Sequence, residues 1–520
     1  MRPAWLCNTW ATCSAYRLGA KNLAMDVSTF MKSVYSTAGS CVHLLLDEST
    51  LTIAPAKVRG LEKLLTYVEK KMSEKNQKIE KISVPMYQRL DSHPGMEVLQ
   101  THQGFWKKVV EHVEGQGLQV RMHDIRLKFP APDFSRMHGM RFSQEPLLKE
   151  ALMQNRSGLI GAPTRFGKTT LIINTLRCYP GLKTVVTVPG VDLIDQLADD
   201  IRKALPDRDV KVLHGKTRNK YQGDDITVVS MDSLDKCDHS GTRLVLIDEP
   251  HALVTDGRMP DFLAFDRARK IGYGATLDGR FDNRDPLIEG LIGPVLAERT
   301  YRQAVAEGAI SPIVVFMLPM PVKGFWCRDR NAAYKKIMWE NEVFAQWVRW
   351  IAKKLVPADW QVMGFIQNEK QANFLMERMT GVECELAMAK LMTDKEREAM
   401  TEKLRNEEVR FCLASNIYAQ GVTFSGLRVV LNLSGGGAST GTIQKPGRVA
   451  EIRPGKRCGV VFDFLFEPPR DVCEQDMKGQ CWQPVWESNA RRAYYTKKGF
   501  EVYIPRNATE LAQMFNERCV

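Results

Sequence analysis

The chain has 520 residues and a formal net charge of +12, with 73 Lys and Arg against 61 Asp and Glu. This length is too great for one ordinary hydrophobic core, so we expect two to four domains. The basic excess favours a polyanionic partner, although a basic balance is also a common solubility state. The 12 cysteines form no Cys-x-x-Cys pair, and all nine histidines lie at or before His251. The second half therefore has no zinc-binding spacing, and we expect reduced thiols in a cytoplasmic protein.

The N-terminal 128 residues are interpreted as a small accessory domain. Polar residues interrupt the apolar residues of segment 2–20, so neither a signal peptide nor a membrane span is predicted. Beyond it, apolar runs of strand length alternate with amphipathic runs of helix length. They predict strand, helix, strand, helix and strand over residues 41–53, 58–72, 79–86, 105–116 and 117–129. We therefore expect an α/β accessory domain over residues 1–128, irregular at its start.

A phosphate-binding loop follows a short apolar run at residues 158–160. In such a loop Gly167 lets the backbone close on the phosphates, Lys168 reaches the β- and γ-phosphates and Thr169 ligates Mg²⁺. The loop is assigned to nucleotide binding as Ala162, Pro163, Thr164, Arg165, Phe166, Gly167, Lys168, Thr169 and Thr170.

An acidic block follows the loop after another apolar run, residues 243–247. It reads Asp-Glu-Pro-His, and its aspartate comes 80 positions after Lys168 (248 minus 168). Asp248 would hold the water shell of Mg²⁺, Glu249 stands where a general base for the attacking water is needed, and His251 is assigned to the nucleotide site. The loop and the block in this order predict a P-loop NTPase that binds a nucleoside triphosphate and Mg²⁺.

Two successive series of such runs follow the accessory domain. The first occupies residues 129–311 and the second residues 312–470, and only the first contains a phosphate loop. This alternation is typical of parallel α/β architecture. We therefore expect two similar lobes, with a C-terminal helical extension over residues 471–520. The basic, aromatic segment 491–498 of that extension either contacts nucleic acid or is structural, and both interpretations stay open.

Seven further blocks accompany the loop and the acidic block in a fixed order. The whole set resembles the motifs of superfamily 2 helicases and translocases over residues 141–464. The seven are Arg141-Phe-Ser-Gln144, residues 189–196, residues 225–234, Gly274-Ala-Thr276, Gly364-Phe-Ile-Gln367, residues 414–423 and Gln444-Lys-Pro-Gly-Arg448.

The resemblance implies two tandem RecA-like lobes that build one motor site. Gln144 would read adenine, and Gly421 would contact the nucleotide. Gln444 and Arg448 would act in catalysis from the second lobe, Arg448 as an arginine finger that stabilises charge on the γ-phosphate. Hydrolysis would then require the cleft between the lobes to close. The residues implied in nucleic-acid contact are Pro189, Gly190, Gln196, Ser230, Gln367 and Ser415.

The chain departs from the family pattern at several positions. Arg165 and Phe166 replace small residues inside the phosphate loop, and Leu277 stands where many relatives have proline. Glu451 stands where a second arginine is usual, with Arg453 two residues later. Either Arg453 takes the second catalytic role or Arg448 serves alone, and the sequence leaves both open.

The acidic block and residues 290–312 resemble the XPB-like and phage UvsW-like branch. This implies an ATP-dependent DNA helicase or translocase, acting on branched or forked DNA in repair or recombination, as a monomer without a membrane partner. An RNA helicase is the alternative. An ABC-type ATPase is suggested by Leu433-Ser-Gly-Gly436, but this signature should precede the acidic strand and instead follows Asp248 by 185 residues (433 minus 248). An ATP-gated nucleic-acid-binding scaffold has Glu451 as its only support.

Overall fold

The structure is a computed structural model. It describes residues 27–36, 41–72, 79–90, 95–190, 193–213, 225–275, 280, 282–321, 330–388, 390–415, 424–437, 440–467 and 483–520. These residues fall into two compact units, one within Met1–Ala162 and Gly167–Arg299, the other within Pro163–Phe166 and Thr300–Val520.

The N-terminal part of the first unit is a small α/β domain, as predicted. Its five-stranded sheet has the order β5-β6-β2-β1-β7, and β3 and β4 form a separate hairpin. The elements are α1 (Val27–Tyr35), β1 (Cys41–Leu46), β2 (Thr50–Ala54), α2 (Leu61–Leu64), β3 (Thr66–Met72), β4 (Ile79–Pro85), β5 (Tyr87–Arg89), β6 (Leu99–His102), α3 (Trp106–Glu114) and β7 (Gln119–Asp124).

Two local predictions in this domain were wrong. Residues 41–53 form two strands, because the Asp47 carboxylate accepts backbone hydrogen bonds from Ser49 and Thr50 and so closes a tight turn. The helix predicted over residues 58–72 ends at Leu64. The following β-branched and aromatic residues pair with β4 instead, because such side chains fit a pleated strand better than a helix.

The rest of the first unit is a lobe built on a seven-stranded parallel sheet of order β10-β11-β9-β12-β13-β8-β14. The phosphate loop follows β8 and the acidic block ends β12, with β13 between them. The carboxyl ends of parallel strands meet at one edge of a sheet, so this order brings the two motifs together. The elements are α4 (Gln144–Met153), β8 (Gly158–Gly161), α5 (Lys168–Cys178), β9 (Thr184–Val188), α6 (Ile194–Ala204), β10 (Val210–Leu213), β11 (Ile226–Ser230), β12 (Leu244–Asp248), α7 (Met259–Leu263), β13 (Arg269–Gly274), α8 (Asp285–Ile292) and β14 (Val295–Glu298).

The second unit repeats this design, with the strand order β17-β18-β16-β19-β20-β15-β21. All of its described strand pairs are parallel. The elements are α9 (Tyr301–Ala306), β15 (Ile313–Pro321), α10 (Arg330–Tyr334), α11 (Glu342–Trp350), β16 (Gln361–Phe365), α12 (Glu369–Arg378), β17 (Glu385–Ala387), α13 (Asp394–Arg405), β18 (Phe411–Ala414), β19 (Leu427–Asn432), α14 (Thr440–Gly447), β20 (Gly459–Glu467), α15 (Gln483–Lys498), β21 (Glu501–Tyr503) and α16 (Ala508–Cys519).

The C-terminal extension is not purely helical, because β21 joins the second sheet beside β15. The ring of Phe515 on α16 lies 6.3 Å from that of Phe316 and 6.1 Å from that of Phe462. The described part of the extension is therefore integral to the core of this lobe. No helix among the described residues is both long and apolar enough to span a membrane.

Candidate active site

The phosphate loop connects the end of β8 to the first turn of α5. Ala162 N donates a hydrogen bond to Gly274 O at 3.0 Å, which joins the loop to the end of β13. Gly167 has a φ of 100°, and a Cβ placed there would lie 2.4 Å from Gln144 Nε2. Only glycine fits this backbone conformation and this close approach. The glutamine predicted to read adenine therefore lies beside the loop.

Lys168 is held by the two acids of the acidic block. Its Nζ donates a hydrogen bond to Glu249 Oε1 and lies 3.5 Å from Asp248 Oδ1. Burial alone would lower the pKa of Lys168, but Glu249 and Asp248 raise it, so the ammonium is charged at neutral pH. Burial raises the pKa of Asp248, opposed by Lys168 and reinforced by Glu249. The sheet edge thus holds one cation and two carboxyl groups in a solvent-poor site.

The carboxylate oxygens of this site fit a divalent cation. Asp248 Oδ1 and Glu249 Oε2 are buried, and neither accepts a hydrogen bond of good geometry from any described residue. Oxygen atoms with unused lone pairs beside a phosphate loop are the ligands that Mg²⁺ prefers. Thr169, in the first turn of α5, is the hydroxyl that the sequence assigns to the same ion.

Glu249 and His251 lie in a strained turn after β12. Glu249 has a φ of 53°, a conformation that residues with a Cβ rarely adopt. His251 is buried, and its Nδ1 lies 3.4 Å from Glu249 Oε2. Burial, Lys168 and Arg280 lower the pKa of His251 to about 4. The imidazole is therefore neutral at neutral pH, and its predicted nucleotide contact would be a hydrogen bond without charge.

Sequence reasoning missed Arg280, which secures this turn. Its guanidinium donates hydrogen bonds to His251 O and to Val254 O, and it pairs with Asp282 at 2.6 Å. The only signal in the sequence was its position four residues after Thr276 (280 minus 276). Arg280 lies in the first unit with the acids whose turn it holds.

In the second unit, α14 carries the block from Gln444 to Gly447, and Arg448 follows it. Gln444 Oε1 is buried and accepts no hydrogen bond from any residue in the described ranges. Lys445, the residue after Gln444, donates a hydrogen bond from its Nζ to Ser434 Oγ at 2.6 Å. Arg448 is 6% exposed. The block is thus an ordered, buried part of the lobe, and the catalytic roles of Gln444 and Arg448 stay predictions.

Arg453 and Glu451, which stand at and near the position of the missing second arginine, each have a charged partner. Arg453 Nη1 lies 2.6 Å from Glu407 Oε1, with both side chains 36% exposed. Glu451 Oε2 lies 3.8 Å from Arg165 Nη2. The pair with Glu407 gives Arg453 an ordinary structural role, and its catalytic role stays a prediction.

Comparison with known proteins identifies the family. Residues 137–279 match the type III restriction enzyme res subunit, and residues 348–453 match the helicase conserved C-terminal domain. The DNA 3'-5' translocase XPB2 of Sulfurisphaera tokodaii is 23% identical over 342 residues, covering 58% of this chain and 76% of that protein. The chain belongs to the superfamily 2 helicases and translocases. The predicted resemblance, including its XPB-like character, is thereby confirmed, and this helicase is an ATP-hydrolysing enzyme.

Solved structures agree on the fold of this helicase. S. cerevisiae Dbp5 bound to RNA and ADP BeF3 matches 74% of this chain and 99% of its own, with 13% identity and a TM-score of 0.50. The Type ISP restriction-modification enzyme LlaBIII bound to DNA matches 79% of this chain and 35% of its own, with 15% identity and a TM-score of 0.50. These likenesses confirm the two RecA-like lobes.

The segment that mimics an ABC signature is an internal loop of this helicase. Ser434 is buried and accepts the hydrogen bond from Lys445, and Gly436 N donates to the Tyr334 hydroxyl at 2.9 Å. Leu433 is completely buried. Because its side chains and backbone are used inside the second lobe, this segment does not present a signature to a partner's nucleotide.

The residues predicted to contact nucleic acid differ in their exposure. Pro189 and Gly190 follow β9, while Gln196 on α6 and Gln367 after β16 are exposed. Ser415 follows β18 and is half-buried. These positions are compatible with contact to a strand, which stays a prediction.

Other predicted residues are buried in the structure or lie outside the residues that it describes. Ser230 is buried, and its Oγ donates a hydrogen bond to Ser233 Oγ at 3.1 Å; its contact with nucleic acid stays a prediction. Arg491 in the C-terminal segment is fully buried and cannot contact nucleic acid, because its charge is used by Asp463. Gly421, Thr276 and Leu277 lie outside the described residues.

Proposed function

We propose that this helicase couples ATP hydrolysis to movement on, or remodelling of, DNA, with branched or forked DNA as its substrate. The observation that carries the proposal is Lys168 Nζ between Glu249 and Asp248 at the carboxyl edge of the first sheet. The choice of DNA rests on the similarity to a protein named as a DNA translocase. Roles in DNA repair or recombination, a monomeric state and a cytoplasmic location are further parts of the proposal.

The residues divide the chemistry between them. Lys168 would exchange Glu249 for the β- and γ-phosphate oxygens of ATP, because a polyphosphate competes strongly for an ammonium. Glu249, released from that pair, would accept a proton from the attacking water. Mg²⁺, when bound by Thr169 and Asp248, would neutralise charge on the phosphates. Gln144 would select adenine beside Gly167.

The second lobe would complete the reaction. Arg448 would stabilise the charge that develops on the γ-phosphate, an effect worth about a thousandfold or more in enzymes of this chemistry. Gln444, whose buried Oε1 accepts no hydrogen bond from the described residues, would orient the same group or the water. Because Arg448 and Lys168 belong to different lobes, ATP binding and hydrolysis would alternate with closing and opening, which would move the bound strand.

One experiment tests this proposal against its alternatives. The ATPase rate is measured without nucleic acid and with single-stranded DNA, duplex DNA, forked DNA and RNA. We expect the strongest stimulation by forked DNA. Stronger stimulation by RNA would favour the RNA helicase, and absence of ATP turnover under every condition would favour the ATP-gated scaffold.

A further inference from the structure

The inward face of α15 is fixed to the core of the second unit by buried polar contacts. Arg491 is completely buried and forms an ion pair with Asp463, which also accepts a hydrogen bond from the Tyr495 hydroxyl at 2.8 Å. Glu487, one turn before Arg491, accepts a hydrogen bond from the Tyr334 hydroxyl at 2.6 Å. These contacts hold α15 in one orientation and leave its opposite side outward.

Seven exposed residues of α15 make up what we call its outer face. They are Trp486, Asn489, Ala490, Arg492, Ala493, Thr496 and Lys497. The helix contains a single acid, Glu487, and this residue is buried on the inward side. The outer face therefore carries one aromatic ring and two cations and has no acidic residue.

Four of these residues form a row along the helix. Trp486, Ala490, Ala493 and Lys497 follow one another at spacings of four, three and four positions, which places them on one side of a helix. The ends of the row are 11 positions apart (497 minus 486), or about 16 Å at the helical rise of about 1.5 Å per residue. The two alanines leave room for a bound chain to lie against the helix between the tryptophan and the lysine.

The chemistry of the outer face matches that of a nucleic-acid strand. Trp486 is 66% exposed, more than any other Phe, Tyr or Trp in the described ranges. An exposed tryptophan alone is ordinary, but here it heads a row that ends in a lysine, with Arg492 beside it. An indole face stacks on any nucleobase, and cations attract phosphates. A protein partner fits less well, because a stable protein interface takes about 20–30 residues on each side.

We propose that the outer face of α15 binds a single strand of nucleic acid, with a base stacked on Trp486 and the backbone phosphates held by Arg492 and Lys497. This inference rests on the proposed function, which supplies a nucleic-acid partner. A single strand fits because its bases are free to stack on a side chain, whereas neighbouring base pairs cover the base faces inside a duplex. Stacking and phosphate contacts do not read base identity, so this binding is largely independent of sequence.

The role of the aromatic ring is tested by direct binding. Affinity of the full chain for fluorescein-labelled oligo(dT) is measured by fluorescence anisotropy. We expect Trp486→Ala to weaken binding by about tenfold, the scale of one lost base–aromatic stack. Trp486→Phe should recover part of the affinity, and Trp486→Leu should not, because leucine is apolar but has no ring to stack. Unlabelled oligo(dT) should also quench the tryptophan fluorescence of wild type more than that of Trp486→Phe.

The role of the two cations is tested by salt dependence. Arg492→Ala combined with Lys497→Ala should reduce the slope of log K against log salt concentration by about 1.4, since each phosphate contact with a single strand contributes about 0.7. Trp486→Ala should leave this slope unchanged, because stacking releases no counter-ions. Lys395→Ala, an exposed lysine on α13 of the same unit, is the matched control and should bind oligo(dT) as wild type does.

The outcomes separate this inference from the proposed function. Wild-type affinity and salt slope in the Trp486, Arg492 and Lys497 variants, while DNA still stimulates ATP turnover, would overturn the inference alone. Full affinity of Trp486→Leu would overturn the stacking role. Self-association of wild type that Trp486→Ala abolishes, with oligo(dT) binding unchanged, would assign the face to a second copy of the chain. Binding of oligo(dT) through Trp486 without any ATP turnover would refute the proposed motor and support this surface.

Discussion

Arg491 donates two hydrogen bonds to Asp463, from Nε to Oδ2 and from Nη2 to Oδ1, each at 2.9 Å. Neither side chain is exposed to solvent. Asn432 donates to the same carboxylate at 3.0 Å, Ser434 donates to Asn432, and Lys445 donates to Ser434. A continuous polar chain thus joins α15 to α14, the helix that carries the Gln444 block.

Breaking this buried pair should destabilise the second lobe. Burial alone would raise the pKa of Asp463, but Arg491 lowers it below its usual value, so both groups are charged. Asp463→Asn leaves Arg491 without its counter-ion, and we expect a loss of about 3–5 kcal/mol in the free energy of unfolding. This loss is measured by unfolding the protein in guanidinium chloride while monitoring tryptophan fluorescence. Arg492→Ala, an exposed neighbour, should change stability by less than about 0.5 kcal/mol. Equal effects of the two variants would contradict the role given to the pair.

Lys445 should make the stability of this lobe depend on pH. Burial lowers its pKa to about 8, from a usual 10.5. Between these values the unfolded chain binds a proton that the folded chain does not, so the free energy of unfolding rises with pH, by about 3 kcal/mol in total. Below pH 8 Lys445 is protonated in both the folded and the unfolded chain, so its contribution to the free energy of unfolding does not change with pH. The difference between wild type and Lys445→Met, followed from pH 7 to pH 10, isolates the effect. A constant difference would show that the lysine pKa is not lowered.

Lys168→Ala should abolish ATP turnover and leave the fold largely intact. The lysine is the residue that reaches the phosphates, whereas salt-sensitive DNA binding would depend on other surfaces. ATPase rate, circular dichroism and DNA binding at several salt concentrations are compared with those of Lys149→Ala, a control for loss of positive charge on α4, where this side chain is 41% exposed. Normal hydrolysis by the Lys168 variant would show that the nucleotide site is wrongly assigned.

Glu249→Gln should separate ATP binding from hydrolysis. Glutamine keeps the size of the side chain but cannot accept the proton of the attacking water, so turnover should fall by at least about a hundredfold. Affinity for mant-ATP should persist, and DNA should be held at least as tightly as by wild type in the presence of ATP. Loss of ATP binding with unchanged DNA affinity would indicate that Glu249 acts on the metal or on the fold.

Alanine substitutions of Arg448 and Arg453 should have very different effects on ATP turnover. Arg448→Ala should lower turnover severely, with a much smaller effect on ATP binding, because a finger acts on charge that develops in the transition state. Arg453→Ala should be mild and should match Glu407→Ala, since the two residues form an ion pair at 2.6 Å. A tenfold or greater loss of turnover in Arg453→Ala alone would restore its catalytic role. Unchanged DNA-stimulated turnover by Arg448→Ala would refute the composite motor.

The sequence by itself determined the parallel α/β architecture and the first half of the site. Strands buried on both faces read as continuous apolar runs, and each phosphate-binding or acidic motif is contiguous in the chain. The order of the motifs therefore predicted that Lys168 and Asp248 would meet, and they do. Gln144, which the family resemblance assigns to the nucleotide, lies beside Gly167.

Only the tertiary structure decided the partners of charged residues that lie far apart in the chain. The second part of the helix predicted over residues 58–72 is strand β3 (Thr66–Met72), because pairing with β4 outweighed local preference. The basic residue Arg491 became a buried ion-pair partner, and Arg165 met Glu451 across 286 positions (451 minus 165). Side-chain charge and periodicity are local properties, whereas burial and ion pairing depend on which strands and helices the folded chain places next to one another.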